Sequence, residues 1–227
     1  MKKLIIFGNG EMGDISNYYF KKKRSIDFFC VDDKSVNKEN FLGKPLISIS
    51  DLKKFSSDDY IFFVALAYKK LNQIREKKYD EIKKLGYEFE NFIHDDSYIA
   101  DNVKIGDNCF ILENQTIQSK VELGNNIIIW SSNHVGHGST IGSHSYLSSQ
   151  ITISGNCKIG KRCFFGVNSA LKDNCIVGDD VFVGMGSNIT NNLKNDCTTV
   201  NSSTKIYESD TKVNRLLKKK FLVFNND

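Results

Sequence analysis

Two histidines near the middle of the chain are of the residue type that transfers protons near neutral pH. His134 and His137 lie three residues apart in the segment SSNHVGHGSTIG. An imidazole in such a position can act as a general base and take a proton from an attacking amine or hydroxyl. Gly155 follows His137 by eighteen residues. Because glycine has no Cβ, we expect its backbone N–H to be free to approach an acyl oxygen. These residue types fit the transfer of an acyl group from a thioester.

A glycine-rich segment near the N-terminus is of the type that binds phosphate. Residues 8–13 read GNGEMG between a predicted strand and a predicted helix, and Asp32 and Asp33 follow about twenty residues later. Glycines let backbone N–H groups and a helix N-terminus approach phosphate, and a carboxylate after the next strand can accept hydrogen bonds from a ribose or a base. The segment before residue 93 is long enough for only one mononucleotide-binding half. A nucleotide-linked substrate is therefore favoured over a dinucleotide, and a purely structural turn is the alternative.

The composition describes an ordinary soluble globular chain. Of its 227 residues, 40% are hydrophobic and 26% are charged, and the net charge is +4. The apolar run before Gly8 is too short for a signal peptide or a membrane helix, and no segment is basic enough for a nucleic-acid surface. We therefore expect a cytoplasmic protein that binds neither nucleic acid nor membrane. The six cysteines contain no CxxC pair, so we expect no metal site.

An internal repeat of six residues organises the middle of the chain. Aliphatic or Phe residues recur at every sixth position, sixteen times without a break, from Ile99 to Ile189. Glycine follows eight of them, and the small residues that lie four positions after them include four of the six cysteines. This hexapeptide signature predicts one short strand and one corner per repeat, so that three repeats make an eighteen-residue triangular coil. We expect the cysteines to fill the core and the glycines, rather than proline, to mark the corners.

The eighteen-residue period sorts the outward side chains into three faces. One face is apolar over five successive coils and predicts an interface: Phe110, Ile128, Tyr146, Phe164 and Phe182. The next face is polar and carries His134, and the third is mostly solvated. Such a prism suits a closed oligomer with ligand sites at the seams between subunits.

The segments on either side of the repeat follow other patterns. Residues 1–92 predict a small parallel βαβ-type sheet, with strands at Leu4–Phe7, Ile26–Val31 and Tyr60–Leu66 and helices at Asp14–Lys23 and Lys69–Leu85. The repeat spans 93–192. Residues 193–227 are predicted to form a tail with a short basic helix around 211–222.

The combination of a glycine-turn domain and a hexapeptide array resembles the bacterial nucleotide-sugar acetyltransferases, the family of bacillosamine-pathway, perosamine and sialic-acid acyltransferases, over residues 1–205. The resemblance implies a Rossmann-like α/β half domain at 1–92, followed by an all-β left-handed parallel β-helix. It also implies a homotrimer, with acetyl-CoA lying between neighbouring subunits and a nucleotide-linked amino sugar held by the N-terminal domain. The implied activity is N-acetylation of the sugar, with a histidine as general base and direct attack on the thioester.

Other functions remain open at this point. A sugar O-acetyltransferase would use the same parts, and a nucleotide-sugar-binding scaffold would bind its ligand without turnover. A hexapeptide-type carbonic anhydrase needs three zinc-binding histidines, and the spacings of His134, His137 and His144 do not resemble the pattern expected for those enzymes.

The resemblance also implies roles for particular residues. They are substrate contacts at Gly8, Gly10, Glu11 and Met12; base-reading carboxylates at Asp32 and Asp33; a catalytic base at His137; and coenzyme contacts at Tyr146, Gly155, Val167, Met185 and Lys205. The family often places an acidic residue beside the catalytic histidine, whereas His137 is flanked by two glycines, so Glu113 or a group of another subunit is a candidate to orient it. His134 is the second candidate for the base, because Asn133 and Gln115 occupy inward slots and predict a hydrogen-bonded network beneath it.

Overall fold

The computed structural model describes residues 2–36, 38–202, 205–209 and 211–221. The chain begins with an α/β domain whose sheet has the strand order β3-β4-β2-β1-β5-β6, parallel except for β3. The strands are β1 (Lys3–Phe7), β2 (Ile26–Val31), β3 (Asn40–Phe41), β4 (Lys44–Ser48), β5 (Tyr60–Val64) and β6 (Glu88–Phe89). The helices are α1 (Glu11–Phe20) and α2 (Gln73–Lys84), with two short 3-10 turns at Asp33–Ser35 and Ile49–Lys54.

The central strand β1 is apolar from Leu4 to Phe7 because both of its faces are covered there. Leu4 and Ile6 pack into one hydrophobic cluster, which includes α1. Ile5 and Phe7 pack into another, which includes α2. This two-sided burial produces the continuous apolar run from which the strand is predicted. The short strands β3, β4 and β6 lack such a run, which is why the sequence pattern does not reveal them.

Both helices begin at positions other than the predicted ones. Gly10, in an extended conformation, is the N-cap of α1, so the helix begins at Glu11, three residues before Asp14. α2 begins at Gln73 rather than Lys69, because Lys70, Leu71 and Asn72 have left-handed φ angles of 52°, 49° and 65°. An α-helix cannot include left-handed residues, so the periodic pattern continues while the helix does not.

The rest of the described chain is mainly a stack of two-residue parallel strands. The first ladder contains β7 (Phe92–Ile93), β10 (Phe110–Ile111), β13 (Ile128–Ile129), β16 (Tyr146–Leu147), β19 (Phe164–Phe165), β22 (Phe182–Val183) and β24 (Thr198–Thr199). The second contains β8 (Tyr98–Ile99), β11 (Thr116–Ile117), β14 (His134–Val135), β17 (Thr152–Ile153), β20 (Ala170–Leu171) and β23 (Asn188–Ile189). The third contains β9 (Lys104–Ile105), β12 (Glu122–Leu123), β15 (Thr140–Ile141), β18 (Lys158–Ile159) and β21 (Ile176–Val177).

The register between neighbouring strands of a ladder is eighteen residues, as in the pair Phe110 and Ile128. The last coil is shorter, because Val183 pairs with Thr199. The ladder therefore continues beyond residue 192, where the period of six no longer holds. A third helix, α3 (Lys212–Phe221), follows, and the end of the predicted helix at residue 222 lies outside the described residues. No helix in the described ranges is long and apolar enough to cross a membrane.

The interior of the coil is filled as the repeat predicts. The recurring aliphatic residues form one continuous cluster, and Cys109, Cys157, Cys163 and Cys175 are buried within it. Burial raises the pKa of the Cys109 thiol to about 12 and that of Cys163 to about 11, so these thiols stay neutral.

The corners are formed by left-handed residues that are mostly not glycine, which corrects the sequence-based expectation. Every sixth residue from Asn108 to Gly186 has a φ between 54° and 68°, and asparagine is the commonest of them. The glycines that follow the core aliphatics are required for another reason. A Cβ on any of them would overlap the neighbouring coil, as at Gly142, where it would lie 2.5 Å from the carbonyl oxygen of Gly160.

The apolar face of the first ladder is covered by the α/β domain of the same chain, not by another subunit as the faces of the prism suggested. Phe110, Ile128 and Phe164 share one buried cluster with Leu4 and residues of α1. Polar groups line the edge of this contact. The backbone N–H of Val64 donates to Asn108 Oδ1 at 2.7 Å.

Arg75 on α2 is a fully buried cation within this interdomain contact. Its guanidinium donates to the carbonyl oxygens of Asn126 at 2.6 Å, His144 at 2.9 Å and Ser145 at 3.1 Å, all on the coil. Burial lowers its pKa to about 10, yet the group stays charged at neutral pH. Carbonyl dipoles, rather than a carboxylate, therefore compensate the charge.

We expect Gly142→Ala to lower the free energy of unfolding by about 1–3 kcal/mol, because its Cβ has no room against the next coil. Lys172→Ala is a matched control, since Lys172 occupies the same hexapeptide slot and its side chain is exposed. Urea unfolding followed by circular dichroism measures both variants. Equal stability of the two variants would contradict the packing constraint.

Candidate active site

The imidazole of His137 lies against Gly155 on the next coil. A Cβ on Gly155 would lie 2.6 Å from Cε1, 3.0 Å from Nε2 and 3.2 Å from Nδ1 of His137. The ring therefore occupies the space that any side chain at position 155 would need. His137 itself is exposed at the corner between β14 and β15.

The backbone N–H of Gly155 is not free, contrary to the expectation from the sequence. It donates to Asp173 Oδ1, one coil further on, at 2.9 Å. The same pattern recurs at other corners, where Lys161 N donates to Asp179 Oδ1 at 2.7 Å. Side chains of one coil accept from the backbone of the coil before it, so a missing Cβ does not leave its N–H unpaired. The absence of a Cβ at Gly155 therefore leaves room for the His137 ring.

Gln118 is the group that contacts His137 from the preceding coil. Its Oε1 accepts the backbone N–H of His137 at 2.9 Å and lies 3.4 Å from Nδ1. An amide oxygen only accepts, so this contact favours the tautomer with hydrogen on Nδ1, in which the lone pair of Nε2 is available to accept a proton. Sequence reasoning missed Gln118. The available signal was a polar residue one coil before Gly136, in a slot that glycine often occupies.

Glu113, the other candidate to orient His137, faces elsewhere. Its carboxylate accepts from Tyr19 Oη at 3.0 Å and from Ser131 Oγ at 2.9 Å. Although burial opposes the shift, the hydrogen bonds that the carboxylate accepts lower the pKa of Glu113. The carboxylate therefore ties α1 to the coil.

Asn133 and Gln115 form the predicted buried network, but its bonds go to backbone groups. Asn133 Oδ1 accepts from Ile151 N at 2.7 Å, and Asn133 Nδ2 donates to the carbonyl oxygen of Trp130. Gln115 Oε1 accepts from Asn133 N at 3.0 Å. None of these bonds reaches His134, which is half-buried in the second ladder between Thr116 and Thr152. Asn133 therefore stabilises the coil interior, and the structure gives it no contact that a catalytic residue would need.

The glycine turn combines two tightly packed glycines with an open one. Gly8 has a φ of 126°, and a Cβ there would lie 2.5 Å from the carbonyl oxygen of Ala65. A Cβ on Gly13 would collide with the carbonyl oxygen of Gly8. Gly10, in contrast, has nothing within 4 Å of its Cβ position. The first-turn N–H groups of α1, at Glu11 and Met12, have no partner within the helix.

Two adjoining cavities bring together most of the predicted ligand contacts. The first, of about 480 Å³, is lined by Gly10, Glu11, Met12, Ile15, Ala65, Leu66, Ala67, Tyr68, Trp130 and Tyr146. The second, of about 470 Å³, is lined by Tyr68, Trp130, Tyr146, Ser148, Ser149, Phe164, Gly166, Val167, Phe182 and Met185. Tyr68, Trp130 and Tyr146 are common to both. Gly10, Glu11 and Met12 of the predicted substrate contacts line the first cavity, and Val167 and Met185 of the predicted coenzyme contacts line the second. The two sets therefore meet at one aromatic wall.

Asp32 and Asp33 lie beyond these cavities, near the carboxyl end of β2. Asp32 Oδ1 is 2.5 Å from the ammonium of Lys78. Asp33 Oδ1 accepts from the backbone N–H of Ser50 at 3.1 Å, a bond that lowers the pKa of this carboxyl. Lys205, a predicted coenzyme contact, is exposed, and the neighbouring residues 203 and 204 lie outside the described residues.

A left-handed turn precedes α2 and positions Tyr68. Lys70, Leu71 and Asn72 each have φ near 50–65°, and the Asn72 N–H closes the turn on the carbonyl oxygen of Tyr68 at 3.1 Å. This conformation costs about 1–2 kcal/mol per residue for non-glycine residues. Asn72 Nδ2 donates to the carbonyl oxygen of Cys163 on the coil at 3.1 Å, which helps to maintain the turn.

His137 lies at a different corner from the two cavities. The cavities lie beside the first ladder and the corner that follows it, whereas His137 lies between the second and third ladders. Its position along the coil axis nevertheless falls between Trp130 and Tyr146, which precede and follow it on the same turn of the chain. Within one chain, His137 and the cavities therefore lie at the same height along the coil axis but on different sides of the coil.

We expect Gly155→Ala to displace the His137 ring, because the new Cβ would occupy its place. The change is measured by the ring signals of the four histidines in NMR spectra, with His137→Asn to assign the signal. Gly10→Ala, whose Cβ meets nothing within 4 Å, is the control and should leave that signal unchanged. An unaltered His137 signal in Gly155→Ala would contradict the seating described above.

The chain is similar to known proteins in its repeat sequence and in its fold. The family model "Bacterial transferase hexapeptide (six repeats)" matches residues 156–191. No curated protein sequence matches the chain. Among solved structures, the acetyltransferase domain of PglB from Neisseria gonorrhoeae is similar at 21% identity and a TM-score of 0.76, covering 87% of this chain and 96% of that one.

A second similar protein is PerB from Caulobacter crescentus, solved in complex with CoA and GDP-perosamine. It is 20% identical, with a TM-score of 0.77, and the match covers 87% of this chain and 93% of that one. A mutant of perosamine N-acetyltransferase from the same organism gives a TM-score of 0.80 at 19% identity, over 92% of this chain and 98% of that one. The fold class expected from the sequence is thereby confirmed. The chain is a hexapeptide-repeat protein in which an α/β domain precedes a left-handed parallel β-helix, the fold of these sugar acetyltransferases.

Proposed function

We propose that the protein is an acetyl-CoA-dependent N-acetyltransferase that acts on a nucleotide-linked amino-deoxysugar. The observation that carries the proposal is the pair of cavities that meet at Tyr68, Trp130 and Tyr146. A transferase with two substrates must bind both with their reactive ends adjacent. The two cavities adjoin at this aromatic wall, so ligands bound in them would be adjacent there. The similar PerB structure was solved in complex with CoA and GDP-perosamine, a ligand pair of the same two classes.

The first cavity suits the nucleotide-linked substrate. It opens on the N-terminus of α1, where unpaired N–H groups and the helix dipole favour a diphosphate. The absence of a Cβ at Gly10 leaves the approach clear. Asp32 and Asp33, further along the same edge of the sheet, are placed to accept hydrogen bonds from the ribose or the base.

The second cavity suits the acyl donor. Its lining is largely apolar, with Phe164, Val167 and Met185 beside two serines. Val167 is 39% exposed and Met185 is 72% exposed, so both apolar side chains are open to a ligand in this cavity. An apolar channel with a few hydroxyl groups fits the pantetheine arm of acetyl-CoA.

The catalytic base would come from a neighbouring subunit. A three-fold axis parallel to the coil preserves the height of every residue, so the partner subunit's His137 would lie level with Trp130 and Tyr146. A homotrimer of this kind would place a proton acceptor at the aromatic wall.

The chemistry then follows from the tautomer that Gln118 favours. The amine nitrogen attacks the thioester carbonyl, and Nε2 of His137 takes a proton from that nitrogen as the new N–C bond forms. The C–S bond breaks, and the imidazolium returns the proton to the leaving thiolate, which restores the neutral histidine. Such general base catalysis contributes about 10²–10⁴-fold. Acetyl-CoA and nucleotide sugars are products of cytoplasmic metabolism, so we place the reaction in the cytoplasm, in surface-polysaccharide or glycan synthesis.

The function is tested with a panel of UDP-, dTDP- and GDP-linked amino sugars incubated with acetyl-CoA and followed by mass spectrometry. We expect one nucleotide amino sugar to gain a single acetyl group on nitrogen. We also expect His137→Ala to reduce turnover by at least about 10²-fold, because the base is lost. His134→Ala is the control and should retain most of the activity.

Other results would exclude the proposal in distinguishable ways. An acetyl group found on oxygen would identify a sugar O-acetyltransferase. Binding of a nucleotide sugar without thiol release, across the whole panel, would identify a non-catalytic scaffold. Near wild-type turnover in His137→Ala would remove His137 from the role of base.

A further inference from the structure

Tyr68 is the most exposed residue of the aromatic wall shared by the two cavities. Its side chain is 48% exposed, whereas that of Tyr146 is 5% exposed. The Tyr68 ring lies 4.9 Å from the ring of Tyr146 and 4.7 Å from that of Phe164, measured between centroids. Tyr68 therefore stands between the cavities, with part of its surface open to whatever fills them.

The position of Tyr68 is fixed by contacts to the coil rather than by its own domain alone. The left-handed turn at residues 70–72 follows it directly, and the Asn72 side chain that holds this turn accepts from Arg75 Nη2 at 3.3 Å. Arg75 and Asn72 both donate to carbonyl oxygens of the coil. Strained backbone of this kind persists only where surrounding contacts over-determine it, and it clusters at functional sites.

Of the three left-handed residues, only Asn72 is of a type that favours this conformation, whereas Lys70 and Leu71 are not. Glycine would adopt the left-handed conformation without cost, yet none of the three positions carries one. Leu71 packs against the hydrophobic cluster between the domains, and Asn72 is fully buried. The turn therefore carries Leu71 and Asn72, whose side chains anchor it to the interdomain contact, instead of glycines, which would remove the strain. The anchored turn holds the Tyr68 ring between the two cavities.

We propose that Tyr68 is the residue against which the two substrates meet, with its ring packed on the sugar of the nucleotide-linked substrate and on the acyl end of the donor. This inference rests on the proposed function. A planar aromatic ring presents an apolar face to the C–H groups of a hexose and excludes water from the reacting amine. The contact is made by the ring, so the hydroxyl group of Tyr68 is not required.

The test compares the affinity for a nucleotide amino sugar with the affinity for the nucleoside diphosphate that forms part of it. Because the nucleoside diphosphate lies at the α1 end of the first cavity, Tyr68→Ala should leave its affinity unchanged. The corresponding nucleotide amino sugar, chosen as the one acetylated in the panel, should bind roughly tenfold more weakly to Tyr68→Ala. Tyr68→Phe should bind both ligands like the wild type.

Affinities are measured by isothermal titration calorimetry and by the fluorescence of Trp130, which is the single tryptophan and lines both cavities. Tyr98→Ala is the matched control, since Tyr98 is 64% exposed on β8 and lines neither cavity. Melting temperatures of all variants show that they are folded.

Two results would overturn the inference. Affinities of Tyr68→Ala equal to those of Tyr98→Ala for the nucleotide amino sugar would show that Tyr68 does not contact the sugar. Equal weakening for the diphosphate and the nucleotide sugar would show a general disturbance of the cavity. Failure of the wild-type protein to acetylate any member of the panel would overturn the proposed function first, and this inference with it.

Discussion

The docking of the α/β domain onto the apolar face of the coil is the constraint on which the arrangement of this protein depends. Phe110, Ile128 and Phe164 are buried against the sheet and α1, and the buried charge of Arg75 is tied to coil carbonyls at the edge of the contact. This contact brings the N-terminus of α1 next to the aromatic wall. Without it, the glycine turn and the apolar channel would belong to separate domains, and the two cavities would not adjoin.

The period of six predicts the fold because it reflects a strict physical requirement. Each coil must bury one aliphatic residue per side and must leave no Cβ where coils touch, so the pattern repeats without interruption from Ile99 to Ile189. The same pattern says that the outward apolar face is buried but not what buries it. Because the hydrophobic effect is not directional, an apolar face buried by a domain of the same chain has the same sequence pattern as one buried by another subunit.

The candidate site was only partly predictable, because its decisive contacts cross from one coil or domain to another. The residue types of His137 and of the glycine turn carry recognisable chemistry, and these positions could be proposed from sequence. The contact from Gln118 and the bond from Asp173 to Gly155 depend on a register of about one coil and on side-chain direction. The left-handed turn before α2 contains no glycine that would signal it. The sequence therefore does not indicate that Tyr68 lies at the candidate site.

We propose that each active site combines the cavities of one subunit with the His137 of its neighbour. The most direct measurement is complementation between His137→Ala, which lacks the base, and Gly10→Trp, whose indole would fill the open space at the first cavity. The two variants are co-expressed, and acetyl transfer by the mixed oligomers is compared with that of each variant alone. We expect each variant alone to be nearly inactive and the mixture to recover activity, because mixed oligomers contain seams with an intact cavity and an intact histidine. A mixture as inactive as its components would contradict this proposal.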